Sequence, residues 1–332
     1  MSSNPLAGLL GRRRRGRGSL GSTTRAASAA LSAAAVVALG AAAAAPAMAS
    51  TAPSMNTVGN DTNIAVEGPN HSLHFYWATN GVAGWHPEKI AGAGTTYSAP
   101  SITANSIGLV IAAEGPSHSL RFYWAANGSS AWHPEHVAGA GTTYSAPSIT
   151  ATSNGVFIAA TGPSHSLGFY WATDGDAGWN PEQVAGAGTT YSAPSLTAGS
   201  GIVVIAAAGA SQSLQFYWQA LGAAAWNPEQ VAGTGTTYSA PSMTITSGDL
   251  FIAAAGPSHG LDFYRQVLGG AAWNPGQAAG TGTTYSAPSL TTNSAGAIVS
   301  AAGPGGSLDF YWQLFGAGTW NPEQVAPAGS VG

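Results

Sequence analysis

The chain contains no cysteine, and only 7% of its 332 residues are charged, against about 25% in an average globular protein. Without cysteine there are no disulfides, so packing alone must hold the fold together. No helical pattern of useful length is present. The chain is instead rich in glycine (46) and proline (20), with 11 Trp, 11 Tyr and 9 Phe. Such aromatic content excludes a disordered chain and predicts a folded, turn-rich protein.

Positive charge is scarce beyond the N-terminus. Six of the nine Lys and Arg residues precede residue 26, and the remainder keeps only Lys89, Arg121 and Arg265 against 13 acidic residues, a formal charge of −10. Nucleic-acid binding depends on cationic groups that neutralise phosphates, and docking on anionic lipid has the same need. We therefore expect neither partner.

Residues 1–49 have the pattern of an export signal. A basic segment ends at Arg25, an Ala-rich apolar stretch covers 26–45, and Ala47-Met48-Ala49 forms a small-residue cleavage site. About 20 apolar residues would also suffice for a membrane anchor, but alanine is only weakly apolar and the cleavage site is where processing would place it. The sequence predicts a secreted protein, exported by the Sec or Tat route, with no membrane span in the mature chain.

The remainder, residues 50–332, is a repeat of 47 residues with units that start at 51, 98, 145, 192, 239 and 286. Three motifs recur at this spacing: Phe-Tyr-Trp in strand three, a second tryptophan about ten residues later, and Thr-Thr-Tyr-Ser-Ala-Pro-Ser between units. The first motif begins at Phe75, Phe122, Phe169, Phe216, Phe263 (as Phe-Tyr-Arg) and Phe310. A repeat of this length indicates stacked supersecondary units.

Each unit predicts four short strands, in the third unit over 146–151, 156–160, 167–172 and 178–185. Four strands per unit of 40–50 residues is typical of a β-propeller blade. The sequence therefore predicts an all-β, six-bladed β-propeller of four-stranded antiparallel blades, with an open β-solenoid as the alternative. No strand is left over to clasp the ends. The ring would close by side-chain packing, or the blade would begin at another strand of the repeat.

The order Ser-Ala-Pro-Ser, apolar strand, Ser-Leu-x-Phe-Tyr-Trp, Asn-Gly and Trp-x-Pro-Glu resembles the blades of tachylectin-like and PLL-like bacterial propeller lectins over residues 51–332. The resemblance implies a lectin that binds neutral or amino sugars in pockets between neighbouring blades. It is specific for the plan of the blade and does not name the ligand.

The blades can be compared with one another, and blade five departs at two positions together. A tryptophan becomes Arg265 and a glutamate becomes Gly276. Such paired loss is expected of a degenerate pocket, although ordinary drift on the rim would look the same. An indole covers the C–H side of a pyranose ring, and a carboxylate accepts hydrogen bonds from the hydroxyls of the sugar. We therefore predict a ligand site formed by the strand-three tryptophans and the glutamates. These are Trp77, Trp124, Trp171, Trp218 and Trp312 with Glu88, Glu135, Glu182, Glu229 and Glu323.

The second tryptophan of each unit is a further candidate for the same pocket, with packing between blades as the alternative. The predicted members are Trp85, Trp132, Trp179, Trp226 and Trp320. The adjoining His or Asn residues lie in the same segment and would complete the pocket. They are His86, His133, Asn180, Asn227, Asn274 and Asn321.

Catalysis, cofactors and metals are not expected. A catalytic constellation is normally unique, whereas the polar positions here recur blade after blade. The histidines of the turns, such as His71, His118, His165 and His259, occur once per blade and cannot converge on zinc. Two alternatives to a lectin remain: a protein-interaction scaffold at the cell envelope, and, less favoured, a propeller glycosidase.

Overall fold

The computed structural model describes residues 52–173 and 178–331, which form a six-bladed β-propeller of four-stranded antiparallel sheets. The predicted fold class is confirmed. Each sheet takes its four strands in chain order from one repeat, so blade and repeat share the same phase. Within the described residues no helix combines the length and the apolar character that a bilayer span requires. The predicted export signal, 1–49, lies outside them.

The 24 strands of the described residues are numbered in chain order, four to a blade. The first strands, β1, β5, β9, β13, β17 and β21, are Ser54–Val58, Ser101–Ala104, Ser148–Thr152, Ser195–Gly199, Ser242–Ile245 and Ser289–Thr292. The second strands, β2, β6, β10, β14, β18 and β22, are Asp61–Gly68, Gly108–Gly115, Gly155–Thr161, Ile202–Ala208, Asp249–Ala255 and Gly296–Ala302. The third strands, β3, β7, β11, β15, β19 and β23, are Ser72–Thr79, Ser119–Ala126, Leu167–Ala172, Leu214–Ala220, Leu261–Val267 and Leu308–Leu314. The fourth strands, β4, β8, β12, β16, β20 and β24, are His86–Ala91, His133–Ala138, Asn180–Ala185, Asn227–Ala232, Asn274–Ala279 and Asn321–Ala326.

Short 3-10 turns join the second and third strands of the first five blades. They are Pro69–His71, Pro116–His118, Pro163–His165, Ala210–Gln212 and Pro257–His259. In the third blade, Ser164 and His165 both have left-handed backbones (φ 54° and 60°), which is strained for residues other than glycine. The carbonyl of His165 accepts hydrogen bonds from the backbone N–H groups of Thr189 and Thr190 at 2.9 Å each. The strained turn thus anchors the connection to the next blade.

The core lies between blades and follows from the alternation along each strand. In blade three, Leu167 and Phe169 pack forward against Leu196 and Ile205 of blade four. Tyr170, on the opposite face of the same strand, packs backward against blade two. The second strand is covered on both faces and every residue of β10 is buried, as its continuous apolar run predicts. Stacked blades therefore supply the core that a single blade lacks.

The last serine of the Ser-Ala-Pro-Ser motif, Ser54 in the first unit, joins each of blades one to five to the following blade. Its hydroxyl oxygen accepts a hydrogen bond from a backbone N–H of the following blade's first strand, as between Ser148 and Leu196 at 3.0 Å. The first serine of the motif accepts a hydrogen bond from the backbone N–H at the end of the second strand of its own blade. In blade four, Ser192 accepts from Ala208 of β14 at 3.0 Å. These bonds explain why the motif recurs at the start of a blade.

The junction between blades six and one is looser than the other five. A cleft of about 600 Å³ there is lined by Pro53 and by blade-six residues such as Tyr285 and Ser289. Among the described residues no serine bond crosses this junction, and Met55 is 66% exposed where its counterpart Ile102 is 5% exposed. In the described part of the chain the five buried clusters join the other five junctions, and blades six and one face each other across this cleft without an exchanged strand.

Candidate functional site

The strand-three tryptophan and the strand-four glutamate meet within one blade. In blade three, Phe169 pairs with Glu182 and Trp171 with Asn180 across β11 and β12. The indole N–H of Trp171 donates to Oε1 of Glu182 at 2.8 Å. The same bond forms in blades one, two and four at 3.2, 2.8 and 2.9 Å. The structure therefore brings together the two residue types that the sequence analysis paired.

The second tryptophan reaches the same glutamate from the following blade. Trp179 of blade three donates its N–H to Oε2 of Glu135 in blade two at 3.4 Å. Equivalent bonds link Trp132 to Glu88 at 3.3 Å and Trp226 to Glu182 at 3.0 Å. One carboxylate thus holds an indole from each side of a blade junction. We call this arrangement the indole-carboxylate clamp.

The second tryptophan also packs between blades, the alternative that the sequence left open. Trp179 lies edge-on to Phe122 of the preceding blade, with ring centroids 4.9 Å apart and planes at 69°. Edge-to-face contacts of this kind stabilise by about 0.5–1.5 kcal/mol beyond the buried area. Packing fixes one edge of the indole while its N–H is fixed by the glutamate, so the ring is held rigidly.

The clamp between blades two and three lines an open cleft of about 300 Å³. Its walls include Trp124, Glu135, Trp179, Val156 and Ala172. The volume is at the lower end of the range of roughly 300–1,000 Å³ for small-molecule sites. A carboxylate has about four acceptor positions, so Glu135 retains acceptor capacity after it binds both indoles. The cleft therefore offers an apolar ring face beside a negatively charged acceptor.

The residue after the second tryptophan contacts the strand-three tryptophan of its own blade. His133 stacks on Trp124 at 4.2 Å, and His86 stacks on Trp77 at 4.1 Å. Asn180 instead donates its side-chain N–H to the carbonyl of Trp171 at 3.3 Å. These side chains support the strand-three tryptophan.

Blade five lacks the clamp, and its substituted residues are rearranged. Arg265 is 49% exposed and pairs through two nitrogens with Asp249, at 2.9 and 3.1 Å. Trp320 of blade six, opposite Gly276, retains its edge-on contact with Phe263 at 4.8 Å. An exposed ion pair of this kind contributes about 0–1 kcal/mol, so the arginine is tolerated because it stays at the surface.

Three predicted site residues lie at the loose closing junction. Among the described residues, no bond between indole and carboxylate joins Trp312, Glu323 and Trp85, and Trp85 is 48% exposed. A further departure occurs between blades four and five, where the N–H of Trp273 is buried without a hydrogen-bond partner. The six junctions are therefore not equivalent.

The turn histidines lie exposed at the opposite edge of the blades, and two of them contact a buried glutamate. His71 donates or accepts through Nδ1 at 2.6 Å from Oε1 of Glu67, a side chain that is 1% exposed. In blade two His118 contacts Glu114 at 2.7 Å. Burial raises the pKa of Glu114, and the bond with His118 opposes that rise. The Glu-x-x-x-His spacing, present only in these two repeats, was the signal that sequence reasoning missed.

Each turn histidine also stacks on the tyrosine that leads to the next blade. The ring centroids of His165 and Tyr191 are 4.3 Å apart, and Tyr191 is 50% exposed. Equivalent stacks join His71 to Tyr97, His118 to Tyr144 and His259 to Tyr285. No three His, Asp or Glu side chains in the described ranges lie close enough together to hold a metal ion.

Comparison with known proteins relates the chain to propeller lectins by fold. No family model matches the sequence, and no curated protein matches it. The BP39L lectin of Burkholderia pseudomallei superposes with a TM-score of 0.75 at 21% identity, over 85% of this chain and 86% of that one. AofleA of Arthrobotrys oligospora gives 0.58 at 10% identity, over 83% and 86%. The Aleuria aurantia lectin, described as a six-bladed β-propeller with a fucose recognition mode, gives 0.56 at 14% identity, over 84% and 95%. At these identities the likeness establishes the shared fold, and the predicted resemblance to propeller lectins is confirmed at that level.

Proposed function

We propose that this protein is a secreted, multivalent lectin that binds neutral or amino sugars in clefts between its blades. The observation that carries the proposal is the indole-carboxylate clamp of Trp124, Glu135 and Trp179 beside an open cleft of about 300 Å³. The lectin names of the proteins that share the fold support it. Repeated sites on one rigid ring would raise avidity on a glycan surface by roughly 10²–10⁴ over a single site.

The chemistry of the cleft favours an uncharged ligand. Its carboxylate repels anionic sugars, and the two indoles offer apolar faces to the C–H groups of a pyranose. Sugar hydroxyls would donate to the acceptor positions of Glu135 that the indoles leave free. We therefore expect no preference for sialylated or sulfated glycans.

The test is calorimetric titration of the purified chain with L-fucose and with a panel of neutral and amino monosaccharides, followed by a glycan array. We expect Trp124→Ala to weaken binding at its own cleft at least about tenfold, which corresponds to 1.4 kcal/mol. Tyr144→Ala, an exposed aromatic change on the opposite edge of the blade, is the matched control and should bind as the unaltered chain does. No binding to any uncharged sugar by a folded chain would contradict the proposal.

A protein-interaction scaffold is the second candidate, and one observation favours it. Five tyrosines on the edge opposite the clamp are 43–52% exposed: Tyr97, Tyr144, Tyr191, Tyr238 and Tyr285. Tyrosine is enriched in protein interfaces. If capture of a cell-surface polypeptide were lost on Tyr144→Ala, kept on Trp124→Ala and unaffected by competing sugar, the scaffold would be the better description. We expect no enzymatic activity from either face.

A further inference from the structure

The residue that follows the strand-three tryptophan or arginine divides the ring into two halves. It is alanine in blades one to three and glutamine in blades four to six: Ala78, Ala125 and Ala172 against Gln219, Gln266 and Gln313. Two residues later the chain has Asn80, Asn127 and Asp174 in the first half and Leu221, Leu268 and Phe315 in the second. Both positions therefore change from one class of side chain to another at the same boundary.

Two of the three glutamines lie buried inside the junctions and bind the carboxylate of the preceding blade. Gln219 is 4% exposed, and its amide N–H donates to the carbonyl of Ala223 at 2.8 Å and to Oε2 of Glu182 at 3.5 Å. Gln266 is also 4% exposed and donates to Oε2 of Glu229 at 3.3 Å. At the junction between blades three and four the amide shares Oε2 of Glu182 with Trp226, and at the junction between blades four and five it binds Oε2 of Glu229, which Trp273 leaves unused.

The apolar residues two positions after the glutamines pack against the buried clusters of the same blade junctions. Leu221 lies against the cluster of Phe169 and Tyr217, and Leu268 against the cluster of Trp218 and Tyr264. In blade six, Phe315 stacks on Phe251 with ring centroids 5.6 Å apart. Each adds apolar volume where blades one and two have an asparagine. In blades four to six an apolar side chain therefore occupies the entrance of the cleft, in blades four and five in addition to the glutamine near the carboxylate.

The exposure of the strand-three tryptophan differs between two of the junctions. In the junction between blades two and three, Ala172 lines the open cleft and Trp124 is partly exposed. In the junction between blades four and five, Trp218 is 7% exposed and belongs to a buried cluster with Leu250 and Met243. The strand-three indole is therefore accessible at the first of these junctions and buried at the second, whereas Trp171, at the junction between blades three and four, stays partly exposed.

We infer that the residue after the strand-three tryptophan or arginine acts as a gate that decides which clefts bind a sugar. Alanine at this position leaves the junctions of blades one–two and two–three open. Glutamine, with the apolar residue two positions later, closes the junctions of blades three–four and four–five. The inference rests on the proposed lectin function and deepens it, because it confines binding to one sector of the ring. A sugar that entered a closed junction would have to break the buried hydrogen bond between the glutamine side chain and the glutamate. One of these groups would then be left without a partner, which costs roughly 1–3 kcal/mol. Glycan binding would thus be one-sided, although all but one of the blades keep both the tryptophan and the acid.

The test converts the junctions in both directions and counts sites by calorimetric titration with L-fucose and the same monosaccharide panel. Ala125→Gln with Ala172→Gln should lower the number of sites per chain by two. Gln266→Ala with Leu268→Asn should raise the number of sites per chain by one. The change frees Oε2 of Glu229, which can then accept hydrogen bonds from the unpartnered N–H of Trp273 and from a ligand hydroxyl. The matched controls are Ala126→Gln and Gln277→Ala, exposed positions in blades two and five, which should leave the count unchanged.

Oxidative footprinting, read residue by residue by mass spectrometry, tests the gate without a ligand. In the unaltered chain Trp218 should be oxidised several-fold more slowly than Trp124, and Gln266→Ala with Leu268→Asn should bring the two rates together. Equal rates in the unaltered chain would overturn the gate, as would an unchanged site count in both conversions. Slow oxidation of Trp218 together with no sugar binding would instead contradict the lectin function and leave the sealed junctions established.

Discussion

Blades one to three and blades four to six use one blade plan with two kinds of junction. In the first half the clamp lies beside an open cleft, as Trp124, Glu135 and Trp179 do. At the junction between blades four and five the equivalent tryptophan, Trp218, belongs to the core. The comparison teaches that a repeated motif fixes the geometry of a site but not its accessibility, because the latter depends on side chains of the following blade that lie outside the motif.

The largest expected difference between the two junctions is in the free energy of unfolding that is lost when the strand-three tryptophan is replaced. Trp218→Ala removes a buried side chain, and such changes cost about 3–5 kcal/mol of the free energy of unfolding. Trp124→Ala removes a partly exposed one, so we expect a cost of about 1–2 kcal/mol together with loss of sugar binding at that cleft. Chemical denaturation of both variants measures the comparison. Equal losses of stability would mean that the two junctions are packed alike.

Replacement of the clamp's acid sharpens the comparison. Glu182 accepts from Trp171, Trp226 and Gln219, whereas its partly solvated counterpart Glu135 accepts from two indoles. Bonds to a charged group contribute about 1.5–3 kcal/mol, so Glu182→Gln should lower the free energy of unfolding by about 2–3 kcal/mol. Glu135→Gln should lower it by about 1 kcal/mol and weaken sugar binding. A smaller loss for Glu182→Gln than for Glu135→Gln would refute the assignment of the closed junction.

Restoration of the acid in blade five should stabilise the second half. A Cβ at Gly276 would lie 3.6 Å from the carbonyl oxygen of Phe263, an ordinary contact, so Gly276→Glu fits and offers Trp320 an acceptor. One added hydrogen bond is worth about 1 kcal/mol, which raises Tm by about 2–4 °C for a chain of this size. Gly276→Ala is the control, because it adds the Cβ without the acceptor. If the two variants melted at the same temperature, the clamp would contribute nothing to stability.

The smallest expected difference is that between two buried tyrosines in the alkaline loss of stability. Burial raises the pKa of Tyr264 from 10.0 to about 12, and the carboxylate of Asp262 adds to the rise. Burial also raises the pKa of Tyr123, but the nearby Arg121 opposes it. Because folding favours the neutral phenol, this stability is complete below pH 10 and is lost as pH rises toward 12. Tyr264→Phe should therefore flatten the decline of unfolding free energy above pH 10 more than Tyr123→Phe does. The reverse order would contradict the assigned environments.

The sequence alone predicts the propeller, the phase of its blades and the pairing of Trp171 with Glu182, because each depends on period and strand alternation within one repeat. Contacts across junctions are harder to predict. The bond from Trp179 to Glu135 spans 44 residues, and that from Gln219 to Glu182 spans 37. The Glu-x-x-x-His spacing signals the contact of Glu67 with His71, but nothing in a single repeat reveals that the carboxylate is buried.

Diffraction from crystals of the chain soaked in a mixture of neutral and amino monosaccharides tests the central claim most directly. The account predicts a pyranose against the indoles of Trp124 and Trp179, with a hydroxyl on Glu135, and no sugar at the junction of Trp218 and Glu229. A sugar bound at the latter junction, or bound only away from the blade junctions, would contradict it.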